Sequence, residues 1–170
     1  KFMLDIFDKN KTQLGVLSNN FAATMAATET MLHGAATLTT TANAGTKNTL
    51  SFTLKVNSAT GHKLPSAYPS RRAFLHVQVK NAANQVVWES GKPNPNGSIA
   101  GVDADTTPGA YEPHYDLITA EDQVQGYESI MGDHNGNLTY TLLHGAAYLK
   151  DNRIPPAGFD KTAVPNDVKV

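Results

Sequence analysis

The hydrophobic period of the chain changes near Gly34. Before that point, apolar residues recur at helical spacing. Phe2, Met3, Ile6 and Phe7 fall on one face of a short amphipathic helix. Gly15 reads as a break. Phe21, Met25, Thr28 and Leu32 then share one face of a second helix, predicted over residues 20–33, with Ser18, Asn19 or Asn20 suited to cap its start and Gly34 to stop it.

After Gly34 the period is two. "ATLTTTANAG" alternates small or apolar residues with threonine. "NTLSFTLKVNS" places Leu50, Phe52, Leu54 and Val56 on one face and Thr49, Ser51, Thr53 and Lys55 on the other, as a half-buried strand requires. "RRAFLHVQVKN" sets Phe74, His76 and Gln78 against Ala73, Leu75, Val77 and Val79, the second set being the better core face. "NAANQ" is a turn that makes "QVVWES" the hairpin partner. Strand signals return at "YEPHYDLI", "QVQGYESIM" and "NLTYTLLHGAAYL", with "GDHNG" as a turn.

Between these runs, residues 91–109 are rich in glycine, proline, asparagine and aspartate, and loops of that length are usually functional or mobile. The tail "KDNRIPPAGFDKTAVPNDVKV" has three prolines and little periodicity. The pattern predicts a mainly β protein, an antiparallel β-sandwich of the Ig-like or jelly-roll-like kind, over residues 34–170, behind a helical lead-in over 1–33.

Composition narrows the function. The formal net charge of −1 gives no basic field for nucleic acid or a membrane surface. No apolar run approaches the roughly 20 residues of a membrane-spanning helix. There is no cysteine, which excludes disulfides, a zinc–thiolate site and covalent haem attachment by this chain. The sequence opens at Lys1 without a signal segment, as expected of a mature product or a piece of a longer chain.

Candidate chemistry is concentrated in two stretches. In "TGHKLPSAYPSRR", His62 stands beside a rigid turn, where an imidazole binds a metal or haem iron or shuttles protons; the plainer alternative is a ring hydrogen-bonded to a loop carbonyl. Arg71 and Arg72 open a strand and so point to opposite faces. The one over the core side needs a carboxylate partner, most readily from the 91–109 loop. Alternatively, the guanidinium fork clamps a propionate, a phosphate or an acidic partner. In "GVDADTTPGAYEPHYD", Asp103, Asp105 and Glu112 offer oxygen ligands of the kind Ca²⁺ takes, although the spacing is not the twelve-residue calcium loop; the alternative is a solvated loop whose aspartates cap turns. "DHNGN" resembles the start of a calcium loop, but the twelfth position is His144, and the turn reading wins. No nucleophilic triad, phosphate-binding glycine loop or dinucleotide fingerprint is present.

Taken in order, "TGHKLPSAYPSRRAFLHVQV", "VVWESG", "YEPHYDLI", "QVQGYES" and "YLKDNRIPPAGFDK" resemble the C-terminal haem-free β domain of bacterial multihaem c-type cytochromes, and "FMLDIF" is similar to the helical segment that trails the last haem motif there. The resemblance covers most of residues 2–161. It implies a non-catalytic accessory or docking domain in a periplasmic or extracellular electron-transfer protein. Its partner would be the haem domain of the same or another chain, and c-type haem would be the parent's cofactor. His62 matches the G-H-K-x-P position and would support or ligate that haem. Arg71 and Arg72 match the paired arginines and would meet haem propionates or the acidic loop. Asp151, Asn152 and Arg153 match the tail motif, where a structural network is expected. The departure is the missing C-x-x-C-H, so this chain does not carry the haem itself.

Two other readings compete. One is a free-standing, calcium-stabilised carbohydrate- or protein-binding module, which requires an exposed aromatic platform from Trp88, Tyr68, Tyr111, Tyr115 or Tyr127. The other is a metal-dependent hydrolase using His62, His114 and nearby carboxylates, for which no ligand spacing speaks.

Overall fold

Residues 2–9, 12–17, 20–66, 68–69, 71–107 and 109–166 are described by a computed structural model. Two units follow one another along the chain, residues 1–61 and 62–170. The boundary therefore falls after the first hairpin, not after the helices as the change of period suggests. The mainly β class with antiparallel sheets behind an N-terminal helical segment is what the structure shows.

The first unit holds helix α1 (Phe2–Asp8), helix α2 (Asn20–His33) and the antiparallel pair β1 (Ala36–Ala42) and β2 (Phe52–Ser58). α2 spans the residues its spacing predicts. Phe21, Met25 and Thr28 form its half-buried face, while Leu32 is exposed. Thr24, Thr28 and Thr30 each return their hydroxyl to the carbonyl four residues back, which satisfies the polar group of a β-branched residue that a helix otherwise disfavours. Gly34 donates to the Thr30 carbonyl and closes the helix. Of the proposed caps, Ser18 and Asn19 lie outside the described residues. In β2, Phe52, Leu54 and Val56 alternate half-buried with exposed Thr53 and Lys55, as predicted; Leu50 falls outside the strand and is exposed.

The second unit holds β3 (Arg72–Phe74), β4 (Val77–Lys80), β5 (Val86–Ser90), β6 (Gly126–Gly132), β7 (Leu138–Thr139) and β8 (Ala147–Asp151). β4 and β5 form a hairpin, closed by the turn Asn81–Gln85 with Asn84 at φ 63°. β6 is the central strand of a four-stranded antiparallel sheet. Met131 and Gly132 pair with both β7 and β8, so those two strands lie on opposite edges of β6. β3 pairs with residues 126–128.

Ile99, Val124 and Ile130, with Pro69, are buried apolar residues of this second unit. Gly91 (φ 73°) and Gly101 (φ 87°) pack directly against Val124. A Cβ at Gly91 would strike the Leu75 carbonyl oxygen, and one at Gly101 would lie 2.9 Å from the Asp122 backbone. Both the left-handed backbone and the close approach require glycine.

Two expectations are corrected here. The alternating run through residues 71–81 is not one strand. It breaks at Leu75–His76, because β3 pairs with β6 whereas β4 pairs with β5. "YEPHYDLI" forms no strand; Pro113 has no N–H for a ladder, and Glu112 turns inward to serve as an acceptor. No helix among the described residues is long and apolar enough to cross a membrane.

Candidate functional site

Two of the stretches that carry the resemblance, the G-H-K-x-P loop and the K-D-N-R tail, come together in the second unit. The Leu64 amide donates to the Ile154 carbonyl (2.8 Å), and the Ile154 amide donates back to Leu64 (2.9 Å). The Leu64–Pro65 bond is cis. Beside this bridge, Lys63 Nζ lies 2.8 Å from Asp151 Oδ2. Arg153 grips the same carboxylate at both oxygens, Nε to Oδ1 at 2.9 Å and Nη2 to Oδ2 at 2.8 Å, and its guanidinium sits 5.5 Å from the centre of the Tyr148 ring. Burial alone would raise the Asp151 carboxyl, but the hydrogen bonds and charges of Arg153 and Lys63 outweigh it and hold the group down at about 2. The tail motif is thus a structural network, as expected.

Asn152 completes that network. β8 ends at Asp151, and from there the Asn152 amide side chain takes over the edge of β6: Oδ1 accepts from the Glu128 amide (3.0 Å) and Nδ2 donates to the Gly126 carbonyl (2.7 Å). Its backbone N–H also reaches the Glu128 carbonyl at 3.2 Å. One side chain imitates a strand residue.

In the two histidines of the candidate chemistry, Nδ1 plays opposite roles. Gln125 is buried, with Oε1 accepting from the Tyr115 amide, so its Nε2 must donate, and it does so to His114 Nδ1 at 2.8 Å. Asn152 Nδ2 approaches the same nitrogen at 3.2 Å. The His114 proton is therefore assigned to Nε2, 3.6 Å from Asp116. His62 is exposed, and its Nδ1 faces the Lys63 carbonyl at 3.1 Å. A carbonyl only accepts, so Nδ1 is assigned a proton, and the contact is the plain loop-carbonyl hydrogen bond.

Arg71 and Arg72 separate. Arg71 lies outside β3, in a turn closed by its amide on the Tyr68 carbonyl, and it makes no ion pair among the described residues. Arg72 finds its carboxylate in the 91–109 loop: Nη2 is 2.7 Å from Asp105 Oδ1 and 2.9 Å from Oδ2. The Asp105 carboxylate also accepts from the Ile99 amide at 2.7 Å. Asp103 is exposed, and its amide donates to Glu112, which is buried and takes the Tyr115 hydroxyl on its other oxygen at 3.0 Å. Burial and the Glu112 carboxylate together push the Tyr115 phenol up to about 12. Asp105 and Glu112 thus spend their carboxylates on protein donors, whereas Asp103 contributes its backbone and leaves its carboxylate at the surface. Among the described residues no three metal-ligating side chains gather at one point.

Elsewhere, Gln78 of β4 and His76 just before that strand both reach Glu89 of β5, at 2.7 and 2.8 Å, and hold its carboxyl at about 2 against the cost of burial. Trp88 is half-buried beside a cavity of about 560 Å³ shared with Val86, Val87 and Asp122. Tyr68 is exposed, whereas Tyr111, Tyr115 and Tyr127 are half-buried. Lys63 and Gln125 are the organising residues that the sequence reading did not single out. Their placement next to the quoted motifs was the one signal.

No family model, no curated protein and no solved structure matches this chain.

Proposed function

We propose that the chain is a non-catalytic docking domain of a periplasmic or extracellular multihaem cytochrome, with the haem domain of the same or a partner chain as its partner. The observation that carries this reading is in the first unit. No residue of α2 is buried, and among the described residues of 1–61 only Ser58 is. Met3, Phe7, Leu17, Met31, Leu32 and Leu38 stand exposed. A unit with this much apolar surface and so little core of its own is built to be covered.

The motif residues supply a second support. The K-D-N-R tail spends its charges internally and fixes the G-H-K-L-P loop, which holds His62 at the surface with Nδ1 on the Lys63 carbonyl. Arg71 is the arginine available to a propionate; Arg72 is neutralised by Asp105. Hydrogen exchange tests the reading. With the haem domain present, amides of α2, β1 and β2 become protected relative to the isolated chain. Equal exchange in both samples overturns it.

A further inference from the structure

A cavity of about 390 Å³ opens beside β3 and β6, with Pro69, Arg72, Asp105, Glu128, Ile130 and Tyr140 in its wall. Its ionised groups are already matched. Arg72 faces Asp105, and Lys150 Nζ holds Glu128 Oε1 at 2.8 Å. An anion at Arg72 would have to displace Asp105, and a cation at Glu128 would compete with Lys150. The wall therefore offers a guest hydrogen bonds without a net charge.

Several of these hydrogen-bonding groups are unspent. The Tyr140 hydroxyl makes no hydrogen bond among the described residues, nor does Oε2 of Glu128, and the Arg72 fork presents N–H groups besides Nη2. Arg72, Asp105 and Glu128 share the cavity wall with Tyr140, and burial pushes the Tyr140 phenol up, with Glu128 and Asp105 adding to the rise and Arg72 opposing it. The exposed Tyr140 ring supplies apolar surface, over a floor closed by buried Pro69 and Ile130. The frame is braced, because Tyr68 donates its hydroxyl to the Tyr140 carbonyl at 2.8 Å across 72 residues of sequence.

We propose that this cavity binds a neutral polyhydroxylated ligand, a sugar ring or other polyol that presents adjacent hydroxyls. A carboxylate oxygen accepts, a guanidinium donates and a phenol does both, which is the set that neighbouring hydroxyls need. The C–H face of the ligand packs on the exposed Tyr140 ring. The volume lies near the lower end of the roughly 300–1,000 Å³ of small-molecule sites. The inference stands whether the chain docks on a haem domain or acts alone.

The test is titration of the full chain with glucose, mannose and maltotetraose, followed by calorimetry and amide NMR, with sodium phosphate and sodium propionate as anion probes. At least one saccharide binds with a Kd of about 1 mM or tighter and moves amides around residues 128–130 and 138–140. Tyr140→Phe weakens that binding about fivefold or more. Ala104→Leu, which fills the cavity from another part of its wall, abolishes it. Circular dichroism establishes that each variant is folded. The proposal is overturned by any of three results. One is no saccharide response up to about 50 mM. Another is tighter binding of phosphate or propionate at the same amides. The last is saccharide binding that Ala104→Leu leaves intact.

Discussion

Lys63 Nζ and Asp151 Oδ2 meet at 2.8 Å, although they stand 88 positions apart in sequence. Asp151 is the inner partner, with 6% of its side chain exposed against 21% for Lys63, and it also carries the two-point contact from Arg153. Removing the carboxylate strands two cations; removing Lys63 leaves the carboxylate with Arg153. Asp151→Ala should therefore lower unfolding stability by about 3 kcal/mol and Lys63→Met by about 1 kcal/mol. Urea denaturation of the two single variants and the double variant measures this. Equal losses for the two single variants would contradict the ranking.

The same carboxylate sets an acid limit. Its folded value of about 2 lies below the ordinary 3.8, so its contribution is present above pH ~4 and is lost as pH falls toward 2. Glu89, also held at about 2 from an ordinary 4.5, acts with the same sign. The urea midpoint should fall between pH ~4 and ~2. The gap between the parent chain and Asp151→Asn should narrow over that window. A gap independent of pH would assign the stabilisation to packing.

Asn152 extends the β6 edge by side-chain hydrogen bonds to Glu128 and Gly126. Asn152→Ala should cost about 2 kcal/mol, because the acceptor at Gly126, itself a buried residue, and the donor at Glu128 lose their partners together. Asn152→Asp keeps only the acceptor and should recover less than half of that loss. Thermal melts followed by circular dichroism distinguish the three proteins.

Asp105 is committed to Arg72 and to the Ile99 amide, and Glu112 to Asp103 and Tyr115. A calcium ion would have to break those bonds to gather the carboxylates. Adding millimolar calcium, or removing it with a chelator, should leave the melting temperature within about 1 °C. A calcium-dependent rise that Asp103→Asn abolishes would restore the calcium reading of the loop.

Local pattern carried much of this fold. The 3.6-residue spacing of Phe21, Met25 and Thr28 located α2, and the shared face of His76 and Gln78 is the face that grips Glu89. The need of one paired arginine for a carboxylate from the 91–109 loop was also legible, and Asp105 meets it. What stayed hidden were choices among distant partners. Residues 72–80 alternate without interruption, yet the strand they pair with changes from β6 to β5 at Leu75–His76. Tyr111, Tyr115 and Ile118 suit a strand, but burying Glu112 as an acceptor suited the 91–109 loop better. Lys63 and Asp151 carry no local mark of one another, since their pairing is made only when two remote loops bridge at Leu64 and Ile154.

Whether these residues serve a haem domain is decided by intact mass and a visible absorption spectrum of the protein purified from its native source. The docking account predicts a c-type haem spectrum in the species that contains this chain, either within a mass well above the 18.2 kDa of these residues or in a haem-bearing partner that remains bound to it. A colourless species of 18.2 kDa with no haem protein attached would contradict it.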